Sequence, residues 1–195
     1  MYEHVKFKNA INMRKANYDK FPSTKLTGML VQGWDSIISM LKEKMDARKV
    51  LAVDLYTGVY EEEVLDAFSK EFSGRVMNVR DLMKPEKEIQ TLTERFMTED
   101  VLFGYVTNLK LEDYLDADKV AAARKQISEA KETIVIIGTG AAVVAPQDAM
   151  VVYADMARWE IQQRFRRHEV KALGIDNRND AVSLQYKRGY FNDWR

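Results

Sequence analysis

The 195-residue sequence predicts an α/β domain: a mostly parallel β-sheet covered by helices on both faces, three layers in all. Three observations carry this reading. Ile134, Val135, Ile136 and Ile137 form a β-branched run with no polar alternation, the pattern of a strand buried on both sides. Shorter runs at residues 50–53, 75–79 and 150–153, separated by segments of helical period, repeat the strand–helix spacing of a parallel sheet. The small residues Gly138, Thr139, Gly140, Ala141 and Ala142 follow the central run, on the carboxyl edge where open α/β sheets hold ligands.

Residues 1–16 are polar and basic and read as a flexible arm. Pro22 pushes Phe21 toward extended geometry, so residues 17–22 read as a turn into the domain. Trp34, Ile37, Ile38, Leu41 and Met45 recur at helical spacing and predict an amphipathic helix over 34–46, with Trp34 as a packing residue. The strand at 50–53 leads to Asp54, a loop containing Gly58, and a helix whose apolar positions are Val64, Leu65, Phe68 and Phe72. After the strand at 75–79, Pro85 stands at the start of a helix carrying Ile89, Leu92 and Phe96. Residues 102–106 read as a short strand or a covered loop. An alanine-rich helix over 117–131, capped by Asp116 or Asp118, runs into the central strand. Beyond the strand at 150–153 come Asp155 and a basic helix with Arg158, Arg164, Arg166 and Arg167, stopped at Leu173 and Gly174. Tyr186, Tyr190, Phe191 and Trp194 crowd the last ten residues, too apolar a set to leave in water. They either dock back or, as the preferred reading, belong to a junction with a following domain. The expected organisation is therefore an arm at 1–16, the α/β domain at 17–178 and a junction at 179–195.

Thirty basic and thirty acidic residues balance, so nothing pulls the whole chain toward nucleic acid or a membrane. The balance hides a gradient: residues 54–118 hold 16 acids against 7 bases, and residues 156–195 hold 5 acids against 9 bases. Anion binding, if present, belongs to the basic C-terminal part. With no cysteine, disulfides, iron–sulfur clusters and thiolate zinc sites are excluded. The longest apolar run, residues 134–145, is broken by Gly138 and Gly140 and is shorter than the roughly 20 residues a bilayer span needs. The first residues lack the apolar core of a signal peptide, and the expected location is the cytoplasm.

A phosphate loop of the form G-x-x-x-x-G-K-[ST] would fall after the strand at 50–53. The chain has one glycine there, Gly58, and puts Glu61, Glu62 and Glu63 where the lysine and hydroxyl would stand. Those acids suit a helix N-terminus but repel a triphosphate. The Gly138, Thr139 and Gly140 turn is a close backbone crossing or a weak anion nest. Arg158, Arg164 and Arg167 are either forks for phosphate oxygens or a helix face laced by pairs such as Glu160–Arg164. Asp54 and Asp155 each end a strand, as turn acids or as carboxylates for magnesium. The candidate ligand-binding set is Gly138, Thr139, Gly140, Arg158, Arg164, Arg167 and Asp155. His4 and His168 read as surface residues; no metal ligand set and no catalytic residue is predicted.

Residues 132–174 resemble the later strands and lid helix of P-loop kinases of the uridine kinase and phosphoribulokinase type, in which an arginine-rich helix closes over the nucleotide. More closely, the chain resembles the N-terminal extension of long, Bacteroides-type class I mannose-6-phosphate isomerases. The residues carrying this are Asn17 to Pro22, Gly33-Trp34, Ile137 to Ala142, Tyr153 to Glu160, and above all Lys187-Arg188-Gly189-Tyr190-Phe191-Asn192-Asp193-Trp194-Arg195. The resemblance spans nearly the whole chain and implies a P-loop-kinase-like fold joined to a C-terminal cupin isomerase domain of the same polypeptide. That cupin, as partner, would hold the zinc. With two histidines in all, this segment carries no such zinc site, and the kinase resemblance lacks its phosphate-binding loop. The implied function is a non-catalytic kinase-like domain in sugar-phosphate metabolism, regulatory, ligand-sensing or structural, with a phosphorylated small molecule as a further partner. The alternatives are a small-molecule phosphotransferase with an atypical phosphate site, and a purely structural or oligomerisation domain.

Overall fold

The four apolar runs become four strands: β1 (Val50–Leu55), β2 (Arg75–Asn78), β3 (Ile134–Gly138) and β4 (Met150–Ala154). They appear in a computed structural model that describes residues 18–19, 22–25, 27–45 and 47–194. The chain divides into two units, Met1–Val31 and Gln32–Arg195. All described helices and strands belong to the second. The arm expected at 1–16 lies outside the described residues.

The sheet is parallel throughout, in the order β2-β3-β1-β4. Val53 lies beside Ile137 on one side and Val152 on the other. The expected neighbours, the strands at 50 and 134, are thus side by side. β3 is buried along its whole length, which is why its sequence shows no alternation. With β3 between β1 and β2, the order departs from the 3-2-1-4 arrangement of dinucleotide folds.

Helices cover both faces. α1 (Trp34–Met45) and α2 (Glu61–Glu71) pack Ile38, Leu41, Val64 and Phe68 onto Leu51, Val53, Val135 and Ile137. On the other face lie α3 (Glu86–Met97), α4 (Leu111–Tyr114), α5 (Ala117–Glu129) and α6 (Ala141–Val144). They pack Ile89, Tyr114, Val120, Ile127 and Val144 onto Ala52, Ile134 and Ile136. Period-two alternation along β1 and β3 divides the core into these two clusters. Asp116 caps α5, its Oδ1 accepting from the N–H groups of Asp118 (3.0 Å) and Lys119 (3.1 Å). Trp34 packs edge-on against Phe68, with centroids 6.2 Å apart, as a packing residue should.

Two expectations are corrected. Residues 102–106 are neither a strand nor covered: Leu102, Phe103 and Tyr105 face solvent. Asp100 Oδ1 accepts from Leu102 N and Phe103 N at 2.7 Å each, folding the backbone into a turn that no ladder can use. The basic helix, α7 (Arg158–Arg166), ends well before Leu173. Ala172 bridges Ile175 in a separate tight turn around Gly174. Of the segment read as a junction, the described residues 179–194 pack on the domain: α8 (Val182–Arg188) runs into a π-helical turn (Gly189–Asp193). Trp194 closes a third cluster with Ile161, Phe165 and Val170.

Candidate functional site

The carboxyl ends of β1 and β3 meet at the point where their connections leave in opposite directions, β1 toward β2 and β3 toward β4. Open α/β sheets form their ligand crevice at such a switch point. A cleft of about 300 Å³ lies here. Its walls are the loop after β1 with the first turn of α2, the end of β2 with Asn78 and Arg80, Gly138 and Thr139 after β3, and residues 169–173 with Arg178.

The β3 turn is shaped by two glycines with positive φ, Gly138 (134°) and Gly140 (91°). A Cβ on Gly138 would stand 2.8 Å from Val79 Cβ, so the glycine admits the 3₁₀ turn (Val79–Leu82) that follows β2. Two of the N–H groups at this turn are already occupied. Asp54, at the end of β1, accepts from Gly140 N at 3.0 Å through Oδ1 and from Ala142 N at 2.9 Å through Oδ2. Sequence reading named both partners but did not join them. The nest is filled by the chain's own carboxylate, a charge-assisted arrangement.

The predicted arginines do not face the cleft. Arg158 donates to Tyr56 Oη (3.0 Å) and to the Trp194 carbonyl (3.1 Å), and its guanidinium lies 4.9 Å from the Trp194 ring centroid. Arg164 donates to the Gly58 carbonyl at 2.9 Å, pairs with Glu160, and stacks 3.6 Å from the Tyr60 ring centroid. Arg167 binds Glu169 (2.8 Å) and Glu160 (3.0 Å). The Arg167 and Arg164 guanidiniums hold the Glu160 carboxyl below its ordinary value, and Arg167 with Tyr60 does the same to Glu169. Asp155 accepts from the N–H of Met156 at 2.7 Å, as a turn acid. Of the predicted set, Gly138 and Thr139 line the cleft; Gly140, Asp155, Arg158, Arg164 and Arg167 do not. α7 is docked down on the 56–60 loop rather than held above a ligand, and Gly58 has Ile161 within 3.0 Å of where a Cβ would be.

Glu61 and Glu62, singled out in the sequence, line the cleft, but the basic residues that line it with them escaped sequence reading. Arg80 grips Glu61, Nη2 to Oε2 at 3.0 Å and Nε to both oxygens at 3.2–3.3 Å. Arg178 holds Asp176 at 2.8 and 2.6 Å and pulls that carboxyl down to about 2. Lys171 faces Glu62 at 3.8 Å. The available signal was Arg80, two residues past a strand end; Lys171 and Arg178 stand in irregular segments with no period to mark them. Behind the cleft, Thr57 Oγ1 donates to the Asp193 carbonyl at 3.2 Å. Asp193 is buried beside Arg188 (3.4 Å), and burial raises its carboxyl to about 6 against the pull of that guanidinium. Burial likewise raises the Tyr114 hydroxyl, with Asp193 adding to it.

Among the described residues, no group of three or more acids and histidines is placed to hold a metal ion, and no helix is long and apolar enough to cross a membrane. No curated protein matches the chain in sequence. A family described as a domain of unknown function, DUF8485, matches residues 33–195, which is the second unit almost from end to end. The chain therefore belongs to the DUF8485 family.

Proposed function

We propose that this chain is a non-catalytic, P-loop-kinase-like domain of a cytoplasmic mannose-6-phosphate isomerase polypeptide, with a regulatory, ligand-sensing role toward a C-terminal cupin domain. Zinc would belong to that cupin. The observation that carries the non-catalytic part is the Asp54 carboxylate seated on Gly140 N and Ala142 N. It puts a fixed negative charge at the sheet edge where the kinase resemblance calls for phosphate. Three more carboxylates, Glu61, Glu62 and Glu63, open α2, and the nearby Arg80 is spent on Glu61. Phosphoryl transfer is almost wholly positioning and charge neutralisation. Here the fixed charges have the wrong sign for it. The parallel sheet with β1 flanked by β3 and β4, a glycine turn after β3 and an arginine-rich α7 support the kinase-like ancestry.

The test is a thermal-shift titration with magnesium and ATP, alongside an assay for phosphate release. No rise in melting temperature at saturating ATP is expected; a ligand present at 100 times its Kd would stabilise by about 2.7 kcal/mol. A clear rise, abolished by Asp155→Ala or Arg164→Ala, would favour the phosphotransferase alternative. For the partner, a class I isomerase cupin domain added in trans should co-elute with the chain on gel filtration.

A further inference from the structure

The cleft is polar, and most of its polar groups are committed to one another. Arg80 is held by three contacts to Glu61, and Arg178 by two to Asp176. Lys171 differs. Among the described residues it makes no hydrogen bond; its one ion pair is 3.8 Å long, to a Glu62 whose side chain is 88% exposed. Two neutral groups on the same walls are also uncommitted. The Thr139 hydroxyl makes no hydrogen bond among the described residues. Asn78 Oδ1 accepts from Arg80 N at 2.8 Å, which orients the amide and leaves its NH₂ as a free donor. One loose cation calls for one acidic group. A free hydroxyl and a free amide call for neutral hydrogen-bonding partners such as alcohols.

We infer that this cleft binds a small polyhydroxylated acid, a sugar phosphate or a sugar acid, with Lys171 taking the anionic group and Thr139 and Asn78 taking hydroxyls. The volume of about 300 Å³ agrees, standing at the small end of ligand pockets. So does the charge: Glu61, Glu62 and Glu169 line the cleft with Arg80, Lys171 and Arg178, and because both arginines are held by carboxylates, a triphosphate would find one loosely paired cation, Lys171, to offset it. The position agrees as well, since the site opens at the switch point between β1 and β3. This inference deepens the non-catalytic reading and rests on it in one respect, that no nucleotide claims the cleft.

The test is isothermal titration of the whole chain with hexose 6-phosphate, gluconate, inorganic phosphate, unphosphorylated hexose and magnesium-ATP. The hexose phosphate or gluconate should bind at least about tenfold more tightly than inorganic phosphate or hexose alone. Which of the two does so identifies the acidic group. Lys171→Met should weaken that binding about tenfold or more, Lys171→Arg should restore part of it, and Lys125→Met, remote on α5, should change nothing. Melting temperatures of the variants check that each is folded. Absence of binding by either acid up to about 10 mM, or binding indifferent to Lys171→Met, overturns the inference. If ATP also fails to bind, the non-catalytic reading survives that loss. ATP binding that displaces the acid overturns both.

Discussion

Asp193 shares the interior with Arg188, whose guanidinium also donates to Thr93 Oγ1 (2.9 Å) and the Leu173 carbonyl (3.3 Å). The Asp193 carboxyl titrates at about 6 when folded, against an ordinary value of 3.8. Between those values the native state binds more protons than the unfolded chain, so stability falls as pH rises through that window and levels off above it. Asp193→Asn should flatten this dependence in urea titrations run from about pH 4 to pH 7. Relative to the wild type, the same change should therefore cost more near pH 4, where the wild-type carboxyl is neutral, than at neutral pH, where the buried charge has already lowered wild-type stability. A pH-independent penalty would sink this account. Asp54→Ala removes two hydrogen bonds to a charged group, and chemical denaturation should show a loss of about 3 kcal/mol. Gly138→Ala meets both a positive φ and Val79, and should lower stability by about 1–3 kcal/mol in the same measurement.

At the scale of elements, α7 acts as a clamp. Ile161 and Phe165 seal its inner side, and Arg164 ties the Gly58 carbonyl and the Tyr60 ring to it. Arg164→Ala should speed hydrogen exchange in residues 56–60 while leaving β1 and β3 protected, because the local hold is lost and the sheet is not touched. Elements were the most legible level in the sequence. β1, β3 and β4 announced themselves through apolar runs, and α2 and α3 through period, because burial on a sheet or a helix face dictates residue type directly. The loop at 102–106 misled for the same reason: Leu102, Phe103 and Tyr105 look like core but face solvent, held there by the local Asp100 turn. The site was less legible. Arg164 and Gly58 are 106 positions apart, so nothing in a linear pattern distinguishes an arginine waiting for phosphate from one resting on a carbonyl. Lys171, Asn78 and Thr139 come from three separate segments and line one cleft only once the strands are ordered β2-β3-β1.

Across the whole molecule, the C-terminal segment is a structural member rather than a tail. Trp194 lies 5.7 Å from Phe165 and 5.5 Å from Tyr186, centroid to centroid, and Thr107 donates from its N–H to the Phe191 carbonyl at 2.8 Å. Trp194→Ala should cost about 3–5 kcal/mol by cavity formation, read as a drop in denaturation midpoint with unchanged slope. The four aromatics at this end were correctly singled out as too apolar for water; their destination was not readable, because docking back and docking onto a neighbour demand the same residues. The sheet order has a further bearing. Asp54 belongs to the same chain as the turn it occupies, so a dissolved anion would have to compete for Gly140 N and Ala142 N against an intramolecular carboxylate. Selection for nucleotide chemistry on this scaffold would have to begin by evicting that one residue.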